Sequence, residues 1–462
     1  MTDVAVFQAV KVPVVQDGAL VKTSARRAPV VAKRQGLVRV YVTPGASFTP
    51  REITAELRLV ADGKALPVIR QTKTINGASK EDDPQSTFNL EVPGGSLPPG
   101  VTFQVALTGE GGKEASLAGD SEGRYPRDGG FEDLGAELSG KLRVVIVPIK
   151  YDADGSGRTP SLGAKELDLY KKTMMRFYPA SEVEVTTHAP HPWTTQISSN
   201  GNGFSTVLRA MTQLRQADKA ASDVYYYGLL APKPSMASYC QGGCVTGLSA
   251  VVDNPSTSSM RASVGIGFGG QESANTMAHE IGHAHGREHA PCGGAQGVDP
   301  GFPYQGGAIG TWGYDIFART FIAPTKGKDI MGYCPNEWVS DYTYNALFER
   351  ISSISLEKHW LPPGSGSAAP KRAAHYRVAT VDGSGGLTWD GELDLDEALQ
   401  GGAIRKASFV VESGSAQVTR EARFFRFDHL PGGFVFVPSD AAVDATRYKA
   451  VEIEGFAARL ER

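Results

Sequence analysis

His279-Glu280-Ile281-Gly282-His283-Ala284-His285-Gly286-Arg287-Glu288-His289 has the spacing HExxHxxGxxH. On a helix, residues four apart share a face, so the imidazoles of His279 and His283 can bind one metal ion. The carboxylate of Glu280 lies beside them, where it can take a proton from a metal-bound water. Gly286 lets the backbone leave the helix, so that His289 can become the third ligand.

The composition of this stretch favours a catalytic zinc site. Three imidazole nitrogens plus one water are expected of a catalytic zinc, whereas a structural zinc has all four positions filled by protein. Four of the nine histidines fall inside these eleven residues, and an ordinary helix with hydrogen-bonded histidines would not concentrate them in this way. The sequence therefore predicts one zinc per chain, bound by His279, His283 and His289. His285 points away from them on the helix and is predicted not to bind the metal.

The motif resembles that of the metzincin zinc endopeptidases, and a second element of that superfamily follows in Asp329-Ile330-Met331-Gly332-Tyr333. The resemblance implies that Met331 forms a Met-turn, an apolar floor beneath the metal. It also implies that Tyr333 ligates the resting zinc or donates a hydrogen bond to the oxyanion. A packed core tyrosine is the alternative. The resemblance implies a secreted zinc endopeptidase with Glu280 as the general base.

A narrower resemblance concerns the substrate. Thr311-Trp312-Gly313-Tyr314-Asp315 resembles a stretch of dictomallein-type secreted metzincins, which include proteases of mucin-like O-glycoproteins. Aromatic faces suit sugar rings, so Trp312 and Tyr314 are predicted to line the substrate cleft. The alternatives are a core role for Trp312 and a general extracellular or cell-wall protein as substrate. A rival of another class is an adhesion module with an inert protease core, but zinc binding alone would not require Glu280.

The length of 462 residues suggests about three domains. We expect an α/β (α+β) metzincin domain over 141–360, with a twisted mixed sheet and the zinc helix. All-β sandwich domains are expected on either side of it, over 1–135 and 373–462, because alternating apolar runs fill both regions. A linker rich in Gly, Pro and Ser is predicted at 361–370.

The metzincin resemblance also implies an edge strand over the cleft, which would bind substrate by β-augmentation. The residues predicted for this strand are Gly247, Leu248, Ser249 and Ala250. Helices are expected at 161–178, 205–219 and 341–354, the last with Ser340 as its N-cap.

Charge and hydropathy limit the classes of molecule that this protein is expected to bind. The net charge of −3 and the absence of a basic run make nucleic acid and anionic membranes poor candidates. No stretch approaches the roughly 20 apolar residues that span a bilayer. The expected partner is a protein or glycoprotein substrate, and a monomer is favoured. The N-terminus, Met1-Thr2-Asp3-Val4, does not resemble a signal peptide, so we expect a removed leader or another export route.

Two further features of the sequence are its four cysteines and a candidate calcium loop. We expect Cys292–Cys334 and Cys240–Cys244 as disulfides, because the neighbourhoods of Cys292 and Cys334 converge on one metal in the resemblance. Sequence alone permits three pairings, and reduced thiols or a second zinc site remain open. Disulfides would indicate an extracellular protein.

Asp152-Ala153-Asp154-Gly155-Ser156-Gly157 resembles the start of a calcium loop. However, Gly163 replaces the glutamate that an EF-hand has at the end of this loop, and a plain turn explains the sequence as well.

Overall fold

The computed structural model of the protein describes residues 1–109, 123–355, 373–395, 397–411 and 416–462. The predicted linker at 361–370 lies outside the described residues. Two compact units are present: Met1–Lys141 with Met175–Glu182 and Gly301–Lys358, and Leu142–Met174 with Val183–Pro300 and His359–Arg462. These units do not coincide with the three domains expected from the sequence, and that division stays a prediction.

The helices lie close to where the sequence predicts them. Among the described residues they are α1 (Ala164–Phe177), α2 (Phe204–Ala217), α3 (Met236–Tyr239), α4 (Gly270–Ala284), α5 (Asp341–Ile354) and α6 (Ala441–Ala445). The predicted N-cap of α5 is confirmed, because the Ser340 hydroxyl accepts a hydrogen bond from the Thr343 backbone N–H at 3.0 Å. This bond satisfies one of the N–H groups that the first turn of a helix leaves without a partner.

The first unit is built mainly from antiparallel strands. In Arg51–Ala61 buried and more exposed positions alternate, as expected of a strand with one face on the core. One sheet has the order Ala19–Leu20, Lys11–Gln16, Asp3–Phe7, Gly36–Tyr41 and Phe88–Val92. The other contains Arg124–Tyr125, Thr102–Thr108, Arg51–Ala61, Lys64–Ala65, Ile69–Ile75 and Glu132–Asp133. Short pairs are Val30–Val31 with Ala136–Glu137, Gly313–Asp315 with Thr320–Ile322, and Lys328–Asp329 with Glu337–Trp338.

The second unit contains a mixed sheet that leads directly to α4. Its order is Glu182–Thr187, Lys141–Tyr151, Val224–Leu230, Ala262–Ile266 and Gly247–Ser249, with His191–Trp193 paired to Lys141–Tyr151. The three middle strands are parallel and nearly continuously apolar, as strands buried on both faces are. Gly247–Ser249 runs antiparallel to Ala262–Ile266, at the end of the sheet order. We call Gly247–Ser249 the edge strand.

The C-terminal part of the second unit is one antiparallel seven-stranded sheet. Its order is Leu387–Leu395, Ala374–Val381, Gly433–Ser439, Ala416–Arg426, Ala403–Val411, Tyr448–Ile453 and Arg459–Glu461. One face shares a hydrophobic core with α2 and the edge strand, through residues that include Phe425, Phe427, Met211 and Leu248. This shared core brings the turn between Ala416–Arg426 and Gly433–Ser439 against the edge strand.

Candidate metal centre

Helix α4 presents His279, Glu280 and His283 from its last two turns. The Nε2 atoms of His279 and His283 lie 3.0 Å apart, with ring centroids separated by 4.7 Å. Both imidazoles are buried. Two nitrogens at this distance suit two ligands of one cation, since zinc–nitrogen bonds are about 2.0–2.1 Å long.

Gly286 ends the helix in the way the sequence indicates. Its φ of +82° lies in the left-handed region that favours glycine. The backbone N–H of Arg287 donates back to the carbonyl of Gly282 at 2.9 Å, and the chain then turns toward the metal centre. The ring centroid of His289 arrives 5.4 Å from that of His279 and 4.6 Å from that of His283. The structure therefore brings the three predicted ligands together.

The outer nitrogens of two of these rings are held by the backbone. Nδ1 of His283 lies 2.6 Å from the carbonyl oxygen of Arg287, and Nδ1 of His289 lies 2.5 Å from that of Gln296. Because a carbonyl only accepts, Nδ1 carries the proton and Nε2 keeps its lone pair. Burial lowers the pKa of His283 to about 3 and that of His289 to about 4. Both rings are thus held in the neutral form that metal binding needs.

Sequence reasoning missed Asp428 and His429, which complete the cluster. The ligand atoms of His279, His283, His289, Asp428 and His429 all lie within 4.8 Å of one another. Asp428 Oδ2 is 3.3 Å from His283 Nε2 and 2.5 Å from His429 Nδ1. These residues follow the strand Ala416–Arg426 of the C-terminal sheet and are far from the HExxHxxGxxH motif in the sequence. No spacing pattern therefore links them to the three histidines.

The chemistry of this donor set fits zinc. Imidazole nitrogens with one carboxylate suit a borderline ion, whereas calcium binds oxygen ligands. Glu280 gives a second indication, because its Oε2 is buried and lacks a hydrogen-bond partner among the described residues. A carboxylate oxygen in this position would accept a hydrogen bond from a water or substrate group at the metal.

Glu280 and Asp428 form a buried acid pair. Burial raises the pKa of Glu280 well above its usual range, and the neighbouring Asp428 adds to the rise. Burial also acts to raise the pKa of Asp428, but His429, His283 and hydrogen bonds hold it well below its usual range. The two carboxyls thus have pKa values moved in opposite directions, because both are buried and only Asp428 lies against the two imidazoles.

Gly247 explains how the edge strand approaches the carboxylate of Glu280 so closely. A Cβ atom at this position would lie 2.2 Å from Glu280 Oε1 and 2.5 Å from its Cδ. Only a residue without a side chain allows the strand to pass so close. The other predicted cleft residues of this strand, Leu248, Ser249 and Ala250, are buried as well.

The remaining predicted site residues belong to the first unit. Met331 is buried in a tight turn in which its N–H donates to Asp329 Oδ1 at 2.9 Å, while Tyr333 is 40% exposed. Asp329 Oδ2 also accepts from the backbone of Ser340, which ties this turn to the start of α5. The roles of Met331 and Tyr333 toward the metal stay predictions.

Trp312 and Tyr314 lie in an aromatic cluster of the first unit. Tyr314 is buried, with its ring centroid 4.9 Å from that of Phe321 and 6.2 Å from that of Phe7. Trp312 is partly buried against the same cluster. Since its ring is covered by other aromatic side chains, Tyr314 offers no open face for a sugar in this structure.

His285 is not among the donors of the cluster. Its ring is fully buried and stacks on Tyr225 with a centroid distance of 4.3 Å and an interplanar angle of 7°. Nδ1 lies 2.8 Å from the carbonyl oxygen of Ile281. His285 therefore packs α4 against the strand Val224–Leu230, instead of facing solvent.

The candidate calcium loop is filled by the chain itself. Hydrogen bonds from Ser156 and Arg158 hold the pKa of Asp154 at about 2, and Arg158 forms an ion pair with it. Asp152 Oδ1 accepts from the Gly157 backbone at 3.0 Å. The guanidinium supplies the positive charge there, so the loop gives calcium no support.

All four cysteines are in disulfides. The predicted Cys240–Cys244 bridge is present, and Cys292 and Cys334 are also disulfide-bonded. Disulfides of this kind are typical of extracellular proteins. In the described part of the chain, no helix has both the length and the apolar character needed to cross a membrane.

Two of the three comparisons with known proteins give no information about this site. No curated protein matches the chain. Among solved structures, one described as a chaperone-substrate complex is 14% identical, with a TM-score of 0.27, over 59% of this chain and 39% of that one. A calcium binding mutant of Bacteroides uniformis beta-glucuronidase 2 is 12% identical, with a TM-score of 0.16, over 44% and 27%. This chain thus spans well under half of either structure, and at these TM-scores we draw nothing from them.

A family match is more informative. Residues 194–341, less than half of the chain, match the family Peptidase M66, a family of zinc metallopeptidases. The matched stretch contains α4 and all three predicted histidine ligands. Together with the histidine cluster, this match supports a zinc metallopeptidase function for the chain.

Proposed function

We propose that this chain is a zinc-dependent endopeptidase with a metzincin-type centre in which Glu280 is the general base. The observation that carries the proposal is the convergence of three buried imidazoles beside a carboxylate oxygen without a partner, Glu280 Oε2. A zinc ion held by His279, His283 and His289 would polarise the scissile carbonyl and lower the pKa of a coordinated water to about 7.

The chain's own groups have distinct tasks in this proposal. Glu280 accepts a proton from the attacking water and returns it to the nitrogen of the leaving amine. The edge strand holds the substrate backbone through strand hydrogen bonds, which read the main chain more than its side chains. The backbone carbonyls on His283 and His289 keep both rings oriented. Tyr333 is proposed, from the metzincin resemblance, as a hydrogen-bond donor to the oxyanion.

The proposal extends to the fold of the chain and to the place where the protein acts. A parallel sheet with one antiparallel edge strand, followed by α4, is what a metzincin domain over 141–360 would contain. The antiparallel sheets before and after it are proposed as flanking sandwich domains. The disulfides support an extracellular site of action.

The decisive variant is Glu280→Gln, which removes the proton acceptor but keeps the size of the side chain. Loss of a general base typically lowers the rate about 10²–10⁴-fold. Casein digestion followed with and without a chelator measures this loss, and metal analysis should show an unchanged zinc content. The matched control is Glu272→Gln in the exposed first turn of α4, which should digest casein as the unsubstituted protein does. Equal digestion by both variants would show that another group activates the water.

Our proposal for the class of substrate is based on the stretch Thr311–Asp315, which contains Trp312. We propose that O-glycosylated proteins are among the substrates, supported by the dictomallein-type resemblance, with general extracellular proteins as the alternative. Tyr314 is buried, so any sugar contact from this stretch depends on the exposed part of Trp312. Digestion of a mucin before and after deglycosylation tests this directly. A preference for the glycosylated form that Trp312→Ala removes would support the proposal, and equal cleavage of both forms would favour the general endopeptidase.

A further inference from the structure

The edge strand is already paired with another segment of the same chain. Ala250 forms an antiparallel bridge with Phe427, and the N–H of Val251 donates to the carbonyl of Arg426 at 3.2 Å. The N–H of Asp428 donates to the carbonyl of Ser249, also at 3.2 Å. This segment, Arg426–His429, is called the hairpin tip, because it joins two strands of the C-terminal sheet. It occupies the Ser249 carbonyl of the edge strand and the Val251 N–H just beyond it, two groups that an extended substrate would otherwise use.

The hairpin tip also places a carboxylate where the metal binds. Asp428 Oδ2 lies 3.3 Å from His283 Nε2, close to the 3.0 Å that separates the Nε2 atoms of His279 and His283. Two ligands of a tetrahedral zinc lie about 3.3 Å apart when the bonds are about 2.0 Å long. The spacing is therefore that of a fourth ligand.

The other bonds of the Asp428 carboxylate fit this position. Its Oδ1 accepts a hydrogen bond from the Ser249 backbone at 2.9 Å, which anchors the group to the edge strand. Its Oδ2 accepts from Nδ1 of His429, and a carboxylate oxygen has a second lone pair for a metal ion. His429 is thus placed as a partner of the ligand, in the manner of the outer-shell groups that orient metal ligands.

The burial of the centre agrees with a closed site. The side chains of His283 and Asp428 have no exposed area, and that of Glu280 is 1% exposed. A polypeptide substrate could not reach these groups in this arrangement. A zinc with four protein ligands has the coordination of a structural site, without the open position that catalysis uses.

We propose that Asp428 is the fourth ligand of the metal, and that the hairpin tip lies along the edge strand as a substrate mimic that holds the centre closed. The ligand assignment stands on the metal-binding geometry alone, while the substrate-mimic part rests on the proposed peptidase function. The stretch that matches Peptidase M66 ends at Asp341 and does not include the hairpin tip.

The hairpin tip competes effectively with substrates and other free ligands of the metal, because it is part of the same chain. The hairpin tip belongs to the same unit as the metal centre, so it competes with free ligands at an effective concentration on the order of millimolar. The ion pair of Arg426 with Glu288, the residue before His289, adds a contact beside the third ligand. External ligands and substrates must displace all of these contacts together.

The test replaces Asp428 with Asn and reads the metal directly. In the cobalt-substituted protein, Asp428→Asn should change the visible absorption spectrum, because a water takes the place of the carboxylate. Acetohydroxamate, a small metal-binding probe, should bind roughly tenfold or more tightly to this variant than to the unsubstituted protein, because the closed state no longer competes. Asp394→Asn is the matched control, since its side chain is 91% exposed and lies outside the metal cluster. This control should leave both readouts unchanged.

The unsubstituted protein tests the proposal even if the variant does not fold. The X-ray absorption spectrum at the zinc edge should be fitted by three imidazoles and one carboxylate oxygen as ligands. Acetohydroxamate should bind weakly to this protein. A zinc with three imidazoles and one water, or tight acetohydroxamate binding to the unsubstituted protein, would overturn the assignment.

Casein digestion separates this inference from the proposed function. If both are right, Asp428→Asn digests casein faster than the unsubstituted protein, and adding Glu280→Gln abolishes the gain. A changed cobalt spectrum without any digestion would keep the ligand assignment, and would count against the peptidase and hence against the substrate mimic. Slower digestion with an unchanged cobalt spectrum would instead make Asp428 part of the working site, and would overturn the inference.

Discussion

Glu280 is packed against a residue that has no side chain. Gly247 lies at the start of the edge strand, and its backbone conformation is ordinary for a strand, so the need for glycine there is steric and not conformational. The sequence indicated Gly247 only as part of a strand that binds substrate. Its contact with Glu280 could not be predicted, because the two residues meet through sheet packing and not through local spacing.

We predict that Gly247→Ala destabilises the protein by about 1–3 kcal/mol, the usual cost of overpacking a buried site. The added methyl group would lie 2.2 Å from Glu280 Oε1, and Glu280 is buried and has little room to move. Urea unfolding of both proteins measures the change in the free energy of unfolding. Gly45→Ala serves as control, because a Cβ atom there meets open space. If both variants unfold at the same urea concentration, the close approach is not as tight as the structure shows.

At the scale of elements, helix positions followed closely from the sequence. Apolar periodicity and a capping serine are local signals, and the predicted range of α5 and its N-cap at Ser340 are both confirmed. The role of Asp329 was not predicted. Its carboxylate bonds the backbone of Met331 and of Ser340, and so joins the turn at Met331 to the start of α5.

We expect Ser340→Ala to lower the free energy of unfolding by about 1 kcal/mol, since the Thr343 N–H loses its capping partner in a buried position. Thermal and urea unfolding measure the effect. Ser353→Ala at an exposed position of the same helix is the control, and alanine's higher helix propensity should make it neutral or slightly stabilising. A Ser340→Ala protein as stable as this control would mean that the cap contributes nothing.

At the scale of the whole molecule, the metal should couple to folding. Four imidazoles and one carboxylate lie together in a single cluster, and all of them except His429 are buried. A metal that binds only the folded chain stabilises it by about 4 kcal/mol when its concentration is a thousand times its Kd. The prediction is that chelation lowers the Tm and that added zinc restores it.

Differential scanning fluorimetry of apo and zinc-loaded protein checks this prediction. His289→Ala should lose most of the zinc-dependent shift, whereas His375→Ala, a histidine outside the metal cluster, should keep it. An identical Tm with and without zinc in the unsubstituted protein would contradict a specific site.

The sequence by itself determined that three histidines come together, because their geometry is local. The pitch of a helix places His279 and His283 on one face, and Gly286 permits the turn that brings His289 to them. The same local character explains why the ranges of α1, α2 and α5 were predicted within a few residues.

Only the tertiary structure decided that Asp428 and His429 lie beside those histidines. Strand pairing between distant segments is set by which apolar faces share a core, and Phe425 and Phe427 share theirs with Leu248. In the sequence, Asp428 and His429 read as ordinary polar residues before a Leu-Pro-Gly-Gly turn. A spacing pattern carries no information about the register between the edge strand and a hairpin so far along the chain, so packing alone brings this carboxylate to the metal centre.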